Sequence, residues 1–286
     1  MFKICKYQLQ QTFTSPRIYI ALFLGCAIHI ISAMPLLEFA EYIQKPLCIW
    51  EGFIYFNCDT YIVSTAFLGI IVLVSDIPFS TQNETYTLLR VSRIKWVAGK
   101  ILYLLAVCLF YYIVILLVGI AFIAPNAYVA NFWSEPLLFL VKNSNQEILL
   151  DFNVYFPYQH ILQLSPLQAV GASFFLCVVY GFIMSLLIFW LNTMFSRIIS
   201  YVSAMMVHVI SYLLATLPIS NHTIRFSLLG NSLLMYHNIN NYYQHLPYFT
   251  LNQSYLIFFL CFFILQLLIN KSIRKYDFRI TVGTKQ

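Results

Sequence analysis

Residues 93–124 read RIKWVAGKILYLLAVCLFYYIVILLVGIAFIA, and the reading of that stretch decides the fold. Arg93, Lys95 and Lys100 stand at its start, after which no charged side chain appears until Glu135. A hydrocarbon core of about 30 Å takes roughly 17 to 25 helical residues to cross, so the run reads as a transmembrane helix with a basic foot. Further spans are predicted over 18–37, 53–74, 167–191, 198–217 and 251–270, which with 97–124 makes six. The second is interrupted by Asn57 and Asp59, and its clean apolar run starts only at Tyr61.

With 61% apolar and 9% charged residues, the net charge of +6 reads as a topology signal and not as a nucleic-acid surface. Lys3, Lys6, Arg17, Arg90, Arg93, Lys95, Lys100, Arg197, Lys271, Arg274, Lys275, Arg279 and Lys285 fall on the N-terminal side of the six spans. Only Lys45, Lys142 and Arg225 fall on the other. The positive-inside rule then predicts cytoplasmic termini for a multi-pass protein of the inner or plasma membrane. The expected fold class is all-α integral membrane, a single transmembrane domain over 1–286 with the lipid bilayer as solvent.

Residues 1–16 precede the first span. Phe2, Cys5, Leu9 and Phe13 recur there at helical spacing among Lys and Gln, the pattern of an amphipathic segment lying along the inner leaflet. Ser15 and Pro16 suit the N-cap and first helical position of the span that follows. A removable signal has an apolar core of about 7 to 15 residues, shorter than this run, which continues into Ala33-Met34-Pro35; the first span is read as uncleaved.

The seven cysteines show neither CxxC nor Cys/His spacing, so no metal site is expected. Cys48 and Cys58 share the first outer loop and can pair if that side is oxidising. The outer loops, 38–52, 125–166 and 218–250, are too small for independent domains. The last carries Tyr236-His237-Asn238 and Asn241-Tyr242-Tyr243-Gln244-His245, read either as an interfacial cap or as a substrate exit surface.

The inner side has one substantial connection, 75–96. Within it Thr81-Gln82-Asn83-Glu84 has capping-box spacing, which predicts a short helix through about Arg90 with Tyr86 and Leu89 on one face and Phe79 just before it. Arg90 and Arg93 follow at the end where cations suit the helix dipole, and Ser92 can cap the next span. Such a helix is either an interfacial connector or a lever for a cytoplasmic partner.

The stretch from Phe79 to Arg93, ending at Gly99-Lys100, resembles the first intracellular loop of ABC-2 type transporter permeases. Thr85, Leu88, Leu89, Ser92, Arg93, Gly99 and Lys100 match that family's pattern. Glu84 stands where the family usually has Gly, and Gln82 and Asn83 replace further acids. The six spans, the N-terminal interfacial segment and the short turn between the fourth and fifth spans agree with the family along the whole chain. The resemblance implies that 76–92 is a coupling loop docking on a separate ABC ATPase subunit, with Phe79, Glu84, Tyr86, Leu88, Leu89 and Arg93 carrying the contact. It also implies a second permease copy or paralogue as dimer partner, with ATP and Mg held by the ATPase. No P-loop is present, since Gly99-Lys100-Ile101 lacks the first Gly and the hydroxyl. The expected function is export of an amphipathic peptide, antibiotic or similar substrate, with no catalysis by the chain itself.

Three other features bear on this. Ala169, Ser173, Cys177, Gly181 and Ser185 recur every four residues, a small-residue ridge suited to close helix packing within or between protomers. His29, His208 and Asp59 are the polar groups within spans, and the two histidines are candidates for a pathway. Gly171-Ala172-Ser173 resembles the Gly-x-Ser of rhomboid proteases, with His208 as base, although Phe174 stands where Gly is expected. An intramembrane serine hydrolase, or a passive channel or scaffold, is therefore the alternative.

Overall fold

The computed structural model describes residues 1–75, 77, 91–143, 152–217, 223–239 and 249–275. Helices dominate them: α1 (Phe2–Thr14), α2 (Pro16–Ile43), α3 (Glu51–Phe56), α4 (Thr60–Val74), α5 (Arg93–Ile123), α6 (Glu135–Lys142), α7 (Pro166–Met194), α8 (Arg197–Thr216) and α9 (Leu251–Lys275). A two-residue parallel pair joins β1 (Leu47–Cys48) to β2 (Ala127–Tyr128), tying the far ends of α2 and α5 together. Five helices, α2, α5, α7, α8 and α9, are long and apolar enough to cross a membrane; α4, with 15 residues, is apolar but shorter.

Local chemistry sets the helix ends. Ser15 accepts from the Arg17 N–H at 3.4 Å with Pro16 at the first helical position. At the far end of α2 the chain leaves through Gln44 at φ 57°, whose N–H returns to Ala40 and Glu41 carbonyls. The break between α3 and α4 falls on Asn57 and Asp59. Asn57 Nδ2 folds back onto the Phe53 carbonyl at 2.9 Å, and Asp59 Oδ1 accepts from Tyr61 and Ile62 N–H at 2.7 and 3.0 Å. An Asx cap competes with a continuous helix, so the apolar run restarts at Thr60.

The distribution of side chains is inverted relative to a water-soluble bundle. On α8 the buried positions are Ser200, Ala204, His208, Ser211 and Ala215, while Ile198, Val202, Met206, Val209 and Leu213 are exposed. A helix that turns its small and polar stripe inward and its large aliphatics outward is compatible with hydrocarbon surroundings. α7 is the central helix: 67% of its apolar window is buried, against 28% for α8 and for α9. It touches α4, α5, α8 and α9.

Three helices meet tightly at Tyr111. Its hydroxyl donates to the Ala66 carbonyl at 2.5 Å, between Gly25 on α2 and Gly69 on α4. A Cβ on either glycine would stand 2.3 Å from that oxygen, so the three-helix junction requires both to be Gly.

The N-terminal amphipathic segment forms a helix that packs on the bundle. α1 packs along α5, burying Ile4, Cys5 and Gln8, with Thr12 Oγ1 2.6 Å from the Tyr103 hydroxyl and Phe13 edge-on to Phe110. Phe2 is left 73% exposed. The docked face is thus shifted from the Phe2–Cys5–Leu9–Phe13 stripe, because Gly99 leaves a gap on α5 that Ile4 fills.

Candidate functional site

Of the expected coupling residues, Phe79, Glu84, Tyr86, Leu88 and Leu89 lie outside the described residues, as does the expected capping box. Arg93 is described. It opens α5, and its guanidinium donates to the carbonyls of Ile273 and Arg274 at 3.3 and 2.9 Å. These bonds join the first residue of α5 to the last described turn of α9. Arg93 thus links the start of α5 to α9.

The small-residue ridge of α7 is spent inside the chain. Ala169, Ser173, Cys177, Gly181 and Ser185 are all buried. Cys177 Sγ donates to Asn57 Oδ1 at 2.8 Å, so the ridge meets the α3–α4 break. A Cβ on Gly181 would stand 2.6 Å from Ile70 Cδ1, and Ser185 donates to the Gly181 carbonyl at 2.6 Å. The ridge packs α7 on α4 and α5 of the same protomer.

The two span histidines sit in separate places. His29 Nδ1 lies 3.0 Å from the Ile115 carbonyl, which only accepts, so that nitrogen carries the proton. Its ring lies against Gly119, where an added Cβ would fall 2.0 Å from Cε1. His208 lies between α4 and α7. Its Nε2 is 2.8 Å from Ser64 Oγ and 3.2 Å from the Ser64 carbonyl, and its Nδ1 is 2.6 Å from the Tyr180 hydroxyl. The carbonyl places the proton on Nε2, and Tyr180 then donates to Nδ1. Both nitrogens of His208 are thus engaged by groups other than Ser173, whose Oγ is buried with no hydrogen-bond partner. The expected Ser173–His208 pair is not formed, since one residue begins α7 and the other meets α7 near its middle.

The sequence reading passed over two polar clusters at the end of the bundle that carries the acids. The first centres on Glu51, fully buried at the start of α3. Its carboxylate accepts from Cys48 N–H at 3.0 Å, Ser134 N–H at 2.7 Å and Ser134 Oγ at 2.6 Å. Burial pushes its pKa up to about 7, outweighing the three hydrogen bonds that favour the carboxylate. Ser134 also caps α6 through Leu137 N–H, so one acid latches β1, α3 and α6. Cys48 and Cys58 are free thiols, and Cys48 Sγ donates to the Ala130 carbonyl at 3.2 Å.

The second cluster seats residues 223–239 over the spans. Ser227 Oγ donates to the Ser211 carbonyl, Leu229 N–H donates to Ser211 Oγ at 2.7 Å, and Asn231 Nδ2 reaches the Arg225 and Ser227 carbonyls at 3.0 and 2.7 Å. Ser254 Oγ on α9 lies 2.8 Å from both Asn231 Oδ1 and His237 Nε2. The Tyr236 hydroxyl bridges Thr60 Oγ1 and the Ala215 carbonyl at 3.0 and 3.2 Å. Burial holds His160 and His237 down to about 4, so both are neutral at physiological pH. This segment plugs the end of the bundle with its polar groups satisfied from α4, α8 and α9. No group of His, Cys, Asp and Glu among the described residues is arranged to hold a metal. Compared with protein-family models, curated proteins and solved structures, the chain matches none.

Proposed function

We propose that the chain is the membrane permease subunit of an ATP-driven ABC exporter, crossing the membrane six times and working as a dimer with separate ATPase subunits. The observation that carries the reading is Arg93. It opens α5 directly after the connection 76–92 and links that helix to α9. A push on the connection 76–92 then moves α5 and α9 together, which is what transmission from a nucleotide-driven partner requires.

The interrupted α3–α4 segment supports the sixth crossing. Fifteen helical residues span only about 22 Å, whereas 53–74 taken together is long enough for a core of about 30 Å. The cargo is an amphipathic peptide, antibiotic or similar molecule, because apart from Lys100 the buried polar groups of the described spans are hydroxyls, amides and histidines, with no chain of carboxylates for ion or proton relay among them. The energy source is the partner's ATP.

The test is co-purification from native membranes with ATPase activity assayed on the eluate, for the wild type and for a Leu88→Asp, Leu89→Asp double variant. A co-purifying ATPase that the variant loses supports the proposal; no ATPase in either eluate refutes it.

A further inference from the structure

A side-opening groove of about 500 Å³ lies between α5, α7 and α9, lined by Ala98, Leu102, Leu105, Phe182, Phe262 and Gln266, with Met1 at one end. That volume falls within the roughly 300 to 1,000 Å³ of small-molecule sites. Phe182 and Phe262 stack at 5.9 Å across its α7–α9 wall. Gln266 brings a side-chain amide into this apolar wall, and its buried Oε1 has no hydrogen-bond partner among the described residues. An amide left unsatisfied in hydrocarbon is costly, so the wall has an unmet demand for a polar partner.

The charge around the groove chooses the occupant. It opens near the basic end of the bundle. Lys95 is one helical turn before Ala98 and shares the face of Ala98 and Leu102, and Lys3 is two residues from Met1; both are exposed and neither forms an ion pair among the described residues. Arg274, also exposed, ends α9 beside Arg93. Every described acid, Glu38, Glu41, Glu51, Asp59 and Glu135, belongs to the opposite end. The groove is thus apolar along its length and opens toward the basic end of the bundle.

We infer that the groove between α5, α7 and α9 binds one anionic phospholipid, with an acyl chain along Leu102, Leu105 and Phe262 and the phosphate at Lys3 and Lys95. Gln266 lies about 13 Å along α9 from Lys275, at 1.5 Å per residue. The lysines supply the preference for a negative headgroup, since each basic residue near an anionic surface contributes about 1 kcal/mol. The inference needs only the bilayer and holds whether or not an ATPase partners the chain.

The experiment is native mass spectrometry of the purified full chain after equilibration in mixed micelles of dioleoyl-phosphatidylglycerol and dioleoyl-phosphatidylcholine. The wild type retains one phosphatidylglycerol, preferred over phosphatidylcholine by about tenfold or more. A Lys3→Glu, Lys95→Glu variant, altered only at exposed positions, brings that ratio to parity or below. Leu102→Trp fills the groove and abolishes retention of both lipids. Equal retention of the two lipids by the wild type, or an unchanged ratio in the charge-reversed chain, overturns the inference even if Leu102→Trp does not fold.

Discussion

Glu51→Gln tests the outer latch, and its size follows from the structure. In the wild type the carboxyl is fully buried and accepts three hydrogen bonds, yet burial raises its pKa from 4.5 to about 7. A raised carboxyl pKa means that the folded chain binds the proton more tightly than the unfolded chain. Its contribution is therefore fully present below about pH 4.5 and is lost as pH rises through about 7. Between about pH 5.5 and about pH 8 the loss is roughly 2 kcal/mol, from about 1.5 pH units at 1.36 kcal/mol each. His160 and His237 act oppositely: held down to about 4, they favour unfolding as pH falls below the usual 6.5. The informative quantity is thus the difference between wild type and Glu51→Gln, in which the histidines cancel. Thermal unfolding in detergent, followed by tryptophan fluorescence across that range, should show the wild type losing about 2 kcal/mol more than the variant on going to the higher pH. Parallel pH profiles would refute the argument that Glu51 titrates inside the latch.

Other substitutions probe the packing. Gly25→Ala drives a methyl onto Tyr111 and Ile115 and should cost about 1 to 3 kcal/mol, part of it recovered by adding Tyr111→Phe; strictly additive melting-temperature losses would count against the three-helix junction. Gly119→Ala forces His29 off the α5 backbone, and a clear drop in melting temperature and in monodisperse yield on size-exclusion chromatography is expected. Ser173→Ala removes a buried hydroxyl that has no partner, so stability should hold or rise by up to about 1 kcal/mol and transport should persist; loss of function would revive a nucleophilic role. Arg93→Ala breaks the link between α5 and α9 and should raise hydrogen exchange over residues 268–275 without changing exchange in α8, at a cost of roughly 1 kcal/mol or less.

What was legible in the sequence is what depends on neighbours along the chain. Ser15-Pro16, the Asn57/Asp59 break and the long apolar runs are local signals, and the helices begin and break where those residues dictate. The latch was not legible. An acid in an outer loop reads as solvated, and Glu51 becomes buried only because Ser134, 83 residues later, brings it two donors. His208 stands out in the sequence, but its partners Ser64 and Tyr180 come from two other helices, and nothing in their spacing announces them. The ridge on α7 left its partner open; the choice between α4 and a second protomer rests on Gly181 meeting Ile70, a contact made by tertiary packing. Ile4 and Gln8 of α1 are buried for the same reason, since the gap over Gly99 outweighs the apolar stripe.

The account stands on whether α4 completes a sixth crossing, because that sets the side on which the connection 76–92 and both tails lie. The direct measurement is labelling of Gln10→Cys and Thr284→Cys chains by an impermeant maleimide in intact cells, read as gain over the parent chain before and after permeabilisation. Six crossings predict that neither position labels until the membrane is opened and that both label then. Labelling of one position from outside, with the other protected, would mean five crossings and would contradict the account.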